Sequence, residues 1–473
     1  MTVREYDVLV VGAGPAGLSV ALHAAADGLR VLVVEKDDRI GGTLHLSGGH
    51  LAAGGTSRQR ELGIVDSPAA HLEDIRRISH GTAREDLTTL VAEHAPETHE
   101  WLAERGFAFA PETPRIVYGH EPYTTARTYY GKDEGASILE VLRAELDASS
   151  VEVWLRAPVT GLLTDGPAVV GAEVYVDGGE VEVRAPAVVL ATGGYGADAE
   201  LFEELEGAPL VSAAARTSTG DGLHLGMSVG AALQGEGLHL PSFGGLPDPQ
   251  SPRRANWHDR QVLTTERPPA EIYVDRTGAR WVAEDEPSID VKERALVQVP
   301  EQTFWTVFDD AALTQSTGSA AMVVGREPDE VRAMANGRPG VHAADSLPEL
   351  AALAGIDPEG LVAAVARYNA AVTAGVDAAF GRTHLPAPIA TAPYYAIRNH
   401  AITLVTFQGL DIDDSCAVRT EAGETVPGLY AVGEVIGAGA TCGNSFCSGM
   451  LLTPALTLGR LLGRHLGSGL AAR

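Results

Sequence analysis

Residues Val8–Gly17, VLVVGAGPAG, constrain this chain more than any other stretch. A short apolar strand runs straight into Gly12-x-Gly14-x-x-Gly17, and the helical run LSVALHAAAD follows. A second apolar strand, VLVVE, ends at Glu35, 18 residues after Gly17. Each part of this order has a physical purpose. Gly12 makes the tight turn, Gly14 lets backbone approach a pyrophosphate, and Gly17 allows a helix to lie close on its strand. Pro15 and Ala16 open the helix, whose N-terminal N–H groups face the anion. An acid at the end of the second strand takes ribose hydroxyls, so Glu35 favours FAD or NAD over a 2′-phosphorylated dinucleotide.

The rest of the composition bounds the answer. A chain of 473 residues with 45% hydrophobic content folds into two or three domains around a large core. No apolar run reaches the ~20 residues of a membrane span. The opening MTVREYDVLVV lacks the basic start and cleavage site of a signal peptide, so a cytoplasmic protein is expected. A net charge of -28 argues against nucleic acid and anionic membranes as partners. Three cysteines, Cys416, Cys442 and Cys447, fit a reducing compartment and form no haem or iron–sulfur signature. The 15 histidines show no metal-ligand spacing, and no metal is expected.

Further strands are expected at Val188–Ala191 and Leu429–Val432, each followed by a glycine turn. SGMLLTPALTLGRLLGRHL is apolar at helical spacing, which predicts a helix starting near Ser448. Strands separated by helices imply an α/β class with a parallel sheet. Its key turns lie at opposite ends of the chain, so the intervening segment leaves this domain and returns. The excursion starts with a Pro-, Gly- and Arg-rich crossing loop over Gly237 to Thr265. A hairpin turning at Thr277-Gly278, a strand in TFWTVFDD, and two helices capped by Ser346 and Asp357 follow. The expected division is 1–236 and 404–473 as one domain, with 237–403 inserted. An insertion of this kind creates a cleft between domains, a favoured ligand site.

Five ordered motifs, VVGAGPAGL, VEKDDRIGGTLHLSGGHLAAGG, VVLATGGYG, TSTGDGLHLGMSVGA and PGLYAVGEV, carry a resemblance that covers nearly the whole chain. The chain resembles the FAD-dependent fumarate reductase and succinate dehydrogenase flavoprotein family, which includes urocanate reductases and 3-ketosteroid Δ1-dehydrogenases. The resemblance implies a Rossmann-like FAD-binding domain interrupted by an inserted α+β capping domain, with substrate between cap and isoalloxazine. On this basis Lys36 joins Glu35 at the ribose end, with Val159. Gly41, Gly42 and Thr43, then Ser47, Gly48, Gly49 and His50, press small backbone against a flat ring. Ala191, Thr192 and Gly193 end a strand at the ligand edge of the sheet. Gly220 and Asp221 precede a helix, where Asp221 caps the helix or holds a cofactor hydroxyl. Gly433 leads to Glu434, which the family pattern puts on the ribityl chain. Gly449, Met450 and Leu451 offer N–H groups to the pyrimidine edge of the flavin.

The chain departs from the fumarate reductase pattern at the substrate. Leu404 and Val405 stand where that family carries histidines, and no arginine lies between Gly433 and Arg460. A dicarboxylate clamp is therefore missing, and fumarate or succinate is not the expected substrate. Leu404, Phe407, Phe446 and Met450 give a more apolar lining, suited to a ketone, an enone or a monoacid. Tyr129 and Tyr130 are candidates to polarise a carbonyl or move a proton, and Arg127 is a candidate anchor. Arg294, near Asp290 and Glu293, is the nearest match to the family's proton-donating arginine. His45 is offset from the covalent flavin position, so FAD is expected to be non-covalent. The expected activity is removal or addition of two hydrogens across a CH–CH bond next to a carbonyl, with an unidentified electron donor or acceptor. Another flavin oxidase or monooxygenase, or a non-catalytic flavin-binding protein, is the alternative.

Overall fold

The computed structural model describes residues 2–255 and 267–470. Strand β1 (Val8–Val11) passes through the Gly12 turn into helix α1 (Pro15–Ala26), and β2 (Val31–Val34) returns beside β1 in parallel register. Then come β3 (Glu152–Trp154) and β4 (Ala187–Leu190), followed by helix α2 (Asp221–Ser228). Next are β5 (Ser242–Gly245), β6 (Ile272–Val274), helix α3 (Ile289–Val297), β7 (Thr303–Asp309) and β8 (Tyr394–Ile402). The described chain closes with β9 (Thr425–Ala431) and helix α4 (Leu452–Leu470).

The main sheet runs β9-β4-β1-β2-β3, all parallel, with Ala417–Arg419 antiparallel on the β9 edge. Every residue of β1, β2 and β4 is buried, as a parallel sheet covered on both faces requires. The α/β class expected from the strand–helix alternation is the class observed. Gly12, Thr192 and Gly433 all follow carboxyl ends of adjacent strands, where open α/β sheets bind ligands. Helix α4 lies on α1 through Gly459 and Gly463. A Cβ at either would come within 2.7 Å of α1 backbone at Ala16 or Val20, so only glycine permits this approach.

A second sheet, β5-β8-β7-β6, is antiparallel and belongs to the excursion. Its β6–β7 core packs against helices Leu347–Ala354 and Pro358–Ala374 through Leu350, Leu361 and Tyr368. Ser346 and Asp357 cap those helices by accepting from Glu349 N and Gly360 N, as their sequence positions anticipate. The hairpin turn at Thr277-Gly278 is present, with Gly278 at φ +76°.

Two expectations need correction. The Gly237–Thr265 stretch is not a plain crossing loop, although 256–265 lies outside the described residues. Its described part carries β5 and two further short strands, because Phe243 and Leu246 are buried and Ser242 pairs with Ile402. Tertiary pairing overrides its turn-rich composition. Helix α4 begins at Leu452 rather than Ser448, because residues 448–451 form a turn in which Gly449 takes φ +78°.

Candidate active site

A single cavity of about 640 Å³ runs from the Gly12 turn to the start of α4 and on to the excursion. At its first end Gly14 is the N-cap of α1 and no side chain caps the helix, so first-turn N–H groups face the cavity. A Cβ on Gly14 would meet nothing within 4 Å, so a ligand can approach the backbone there. Gly17 does not line the cavity. A Cβ there would lie 2.0 Å from Gly12 O, so its role is helix–strand packing.

Glu35 bridges the ends of two strands by accepting from Ala13 N at 2.8 Å and Asp37 N at 2.9 Å. Lys36 Nζ reaches across to Asp221 Oδ2 at 2.7 Å and Thr219 Oγ1. Burial pushes the Asp221 carboxyl up, but Lys36 and Thr219 outweigh it and hold the group below its usual value. Asp221 is thus tied to Lys36 and is not a side-chain cap of α2. Val159, Ala191, Thr192 and Gly193 complete this end. Thr192 Oγ1 is buried without a hydrogen-bond partner among the described residues, which leaves it for a ligand.

Further along, Gly433 sits at φ +80° and turns the chain after β9. Glu434 is buried and accepts from Thr406 N at 3.0 Å and Thr406 Oγ1 at 3.2 Å. Burial outweighs these bonds and pushes its carboxyl up to about 7. Gly42, Thr43, Ser47, Gly48 and His50 form the facing wall. Gly41 and Gly49 stand behind it. Gly41 has φ +113°, and a Cβ on Gly49 would lie 2.5 Å from Glu134 backbone. Gly220 likewise shapes the turn before α2, at φ +75°, without lining the cavity.

The α4 end is held by buried polar contacts. Tyr123 Oη donates to Ser448 O at 2.6 Å, Thr128 Oγ1 donates to Ser448 Oγ at 3.1 Å, and Ala52 N donates to Thr453 Oγ1 at 2.8 Å. Gly449 and Leu451 line the cavity. Met450 does not: its side chain is buried and its carbonyl accepts from Thr441 Oγ1. Of the four apolar lining candidates, Leu404 and Phe446 face the cavity, while Phe407 packs edge-on behind Phe446.

The catalytic candidates separate. Arg127 is buried in an ion pair with Asp66 at 2.9 Å and Asp74 at 3.1 Å, so it cannot reach a substrate. Tyr129 is equally buried, with Oη 2.6 Å from Thr56 Oγ1, and burial raises its hydroxyl beyond any working range. Both were favoured because they neighbour each other in ARTYYG, but the Thr128–Tyr129 strand turns them into the interior. Tyr130 points away from the cavity and donates to Glu112 at 2.7 Å. Arg294 also lies off the cavity wall but touches residues beside it. It donates to Asp290 at 2.7 Å and to Asn444 O at 2.7 Å, and its Nη2 lies 3.0 Å from His80 Nδ1. Asp290 in turn accepts from Ser445 Oγ at 2.5 Å, one residue before Phe446. His45 lies 2.9 Å from Ile40 O and does not line the cavity.

Two residues missed from the sequence stand in the remaining wall. Arg254 pairs with Ser212, which also pairs with Thr403, so Arg254, Ala214 and Leu404 come together. Arg254 donates to Ala214 O at 2.8 Å, and burial and the nearby Arg216 charge lower its pKa. Both arginines line the cavity, with Asp248 on the same wall. No local signal marks them, because the bridges joining these segments are long-range.

The donor set fits a flavin dinucleotide: a bare helix N-terminus, an acid after β2, an orphaned hydroxyl at Thr192 and a buried acid at Glu434. A family model described as an FAD binding domain matches residues 7–451. The chain is 29% identical to a fumarate reductase (cytochrome) of Shewanella frigidimarina, over 97% of this chain and 76% of that one. It is 28% identical to 4-oxocyclohexanecarboxylate 2-dehydrogenase of Sinomonas cyclohexanicum, over 97% of this chain and 92% of the relative. In fold it matches a 3-ketosteroid Δ1-dehydrogenase from Sterolibacterium denitrificans solved with 1,4-androstadiene-3,17-dione. That match has a TM-score of 0.81 and 22% identity, covering 98% of this chain and all of the other.

Proposed function

Because the chain belongs to the FAD binding domain family and is an FAD-dependent oxidoreductase, we propose that it acts on a CH–CH bond next to a carbonyl, in a ketone, enone or monoacid. One observation carries this reading: the substrate end of the cavity has cations on one wall only. Arg216 and Arg254 stand there with Asp248, while Leu404, Val405 and Phe446 supply apolar surface. Two like charges held this close favour an anion between them. One carboxylate has a seat, and a second one opposite has none. A cyclic ketone bearing a single carboxylate, as named for the Sinomonas relative, matches that arrangement.

FAD, when bound, supplies hydride exchange at its N5 position. The residues that would hold it without a covalent bond are the α1 N-terminus for the pyrophosphate, Glu35 for ribose, Glu434 for the ribityl chain and Gly449–Leu451 for the pyrimidine edge. The proton belongs to the protein. Arg294, Asp290 and Ser445 form a chain of hydrogen bonds from partly exposed surface to the cavity wall, and Arg294 is the group we assign to proton transfer. The domain division 1–236 and 404–473 around 237–403 puts this chain of bonds across the junction of cap and FAD-binding domain. Three free cysteines support a reducing, cytoplasmic compartment, and among the described residues no helix is long and apolar enough to cross a membrane. The electron partner is a separate molecule.

The test is Arg254→Gln assayed on 4-oxocyclohexanecarboxylate and on cyclohexanone. Loss of a charge-assisted hydrogen bond costs about 1.5–3 kcal/mol, roughly ten- to a hundredfold in KM. The increase is expected for the keto acid alone. An equal effect on both substrates would remove Arg254 from carboxylate binding.

A further inference from the structure

Cys442 and Cys447 enclose the segment Cys442-Gly-Asn-Ser-Phe-Cys447, which joins the turn after β9 to the start of α4. Cys442 ends the short helix Gly439–Cys442, and Gly443 reverses the chain at φ +61°. The reversal brings the two thiols into hydrogen-bond contact with each other. Both are free and buried, with relative exposures of 0% and 4%. They differ in position. Cys447 is on the cavity wall, immediately before Ser448 and Gly449, whereas Cys442 lies behind it with Sγ 3.5 Å from Met450 O.

We propose that Cys442 and Cys447 are a redox-active dithiol beside the flavin pocket, closing to a disulfide and reopened by a dithiol reductant that enters from the cavity. This goes beyond the proposed function and does not rest on it. The two sulfurs already touch, so closure needs side-chain rotation rather than a large backbone shift. The asymmetry of the pair sets the direction of attack. The hydrogen bond between the thiols lowers Cys442 and raises Cys447. A thiolate of the reductant attacks Cys447 Sγ, the sulfur open to the cavity. The Cys442–Cys447 bond breaks and Cys442 leaves as the thiolate, since the thiol of lower pKa leaves faster. The second thiol of the reductant then attacks the mixed disulfide and releases Cys447, which takes a proton. The reductant is oxidised to its own disulfide, the protein pair gains two electrons and two protons, and no other co-reactant is required.

Cys416 is an internal control. It is buried, belongs to neither the cavity nor the pair, and burial pushes its thiol up to about 12. In the experiment, folded holoprotein is treated with diamide, denatured in iodoacetamide, digested and mapped by mass spectrometry. The expected product is a Cys442–Cys447 crosslink with Cys416 alkylated, and dithiothreitol restores alkylation at all three. Anaerobic dithionite titration of diamide-treated protein is expected to consume two more electron equivalents per flavin than Cys447→Ser does. Alkylation of both Cys442 and Cys447 after diamide, or equal titration end points, would overturn the proposal. The wild-type mapping stands even if Cys447→Ser does not fold.

Discussion

Arg127 shows how a residue can look catalytic in sequence and be structural in space. A guanidinium next to two tyrosines invites a substrate role, yet its partners are Asp66 and Asp74, and all three are buried. Removing one member of a buried ion pair leaves charges without compensation and costs about 3–5 kcal/mol. Arg127→Ala is therefore expected to lower stability by that order in chemical denaturation. A folded variant of undiminished stability that lost only turnover would return Arg127 to the substrate. Glu434 makes a prediction of a different kind. Its buried carboxyl is held near 7, above the ordinary value of 4.5. The folded state therefore binds a proton more tightly than the unfolded one. The stability this contributes is fully present below 4.5 and is lost as pH rises through 7. FAD-free Glu434→Gln should gain stability over FAD-free wild type at pH 8, by about 3 kcal/mol at most, and the gain should shrink toward pH 5. A gain of equal size at both pH values would mean that ionisation of Glu434 is not its cause.

Among the elements, the βαβ start was legible because local chemistry dictates it. β1, the Gly12 turn, α1 and β2 are adjacent in sequence, and each residue's reason lies within the unit. The caps Ser346 and Asp357 were legible for the same reason. The parts that could not be read depend on distant pairing. The Arg254–Ser212–Thr403 bridges bring together three segments far apart in the chain, and no period or motif encodes that meeting. The start of α4 was misplaced because helical spacing continues through Ser448, while Gly449 at φ +78° breaks the helix there. That turn gives an element-scale prediction. A Cβ on Gly449 would lie 2.5 Å from Ala52 N, and the positive φ adds strain of about 1–3 kcal/mol. Gly449→Ala should displace the turn that lines the cavity and reduce FAD retention through gel filtration, with α4 itself still folded by circular dichroism. Full retention of FAD would show that the turn contributes little to holding the cofactor.

At the scale of the whole molecule, the glycine turns of one parallel sheet and the helix start of α4 form a long cofactor groove, and the excursion supplies a wall at its far end. That wall determines what the enzyme can hold. Leu404 and Val405 offer no charge, and the described cations lining this end are Arg216 and Arg254. A dicarboxylate would place one carboxylate against apolar side chains, at an expected loss of about 3–5 kcal/mol. The most direct measurement is anaerobic turnover with a reduced viologen dye, comparing fumarate with a cyclic enone that carries one carboxylate. Turnover of the enone with negligible fumarate reduction is the predicted result. Robust fumarate reduction, at a rate equal to or above that of the enone, would contradict the account.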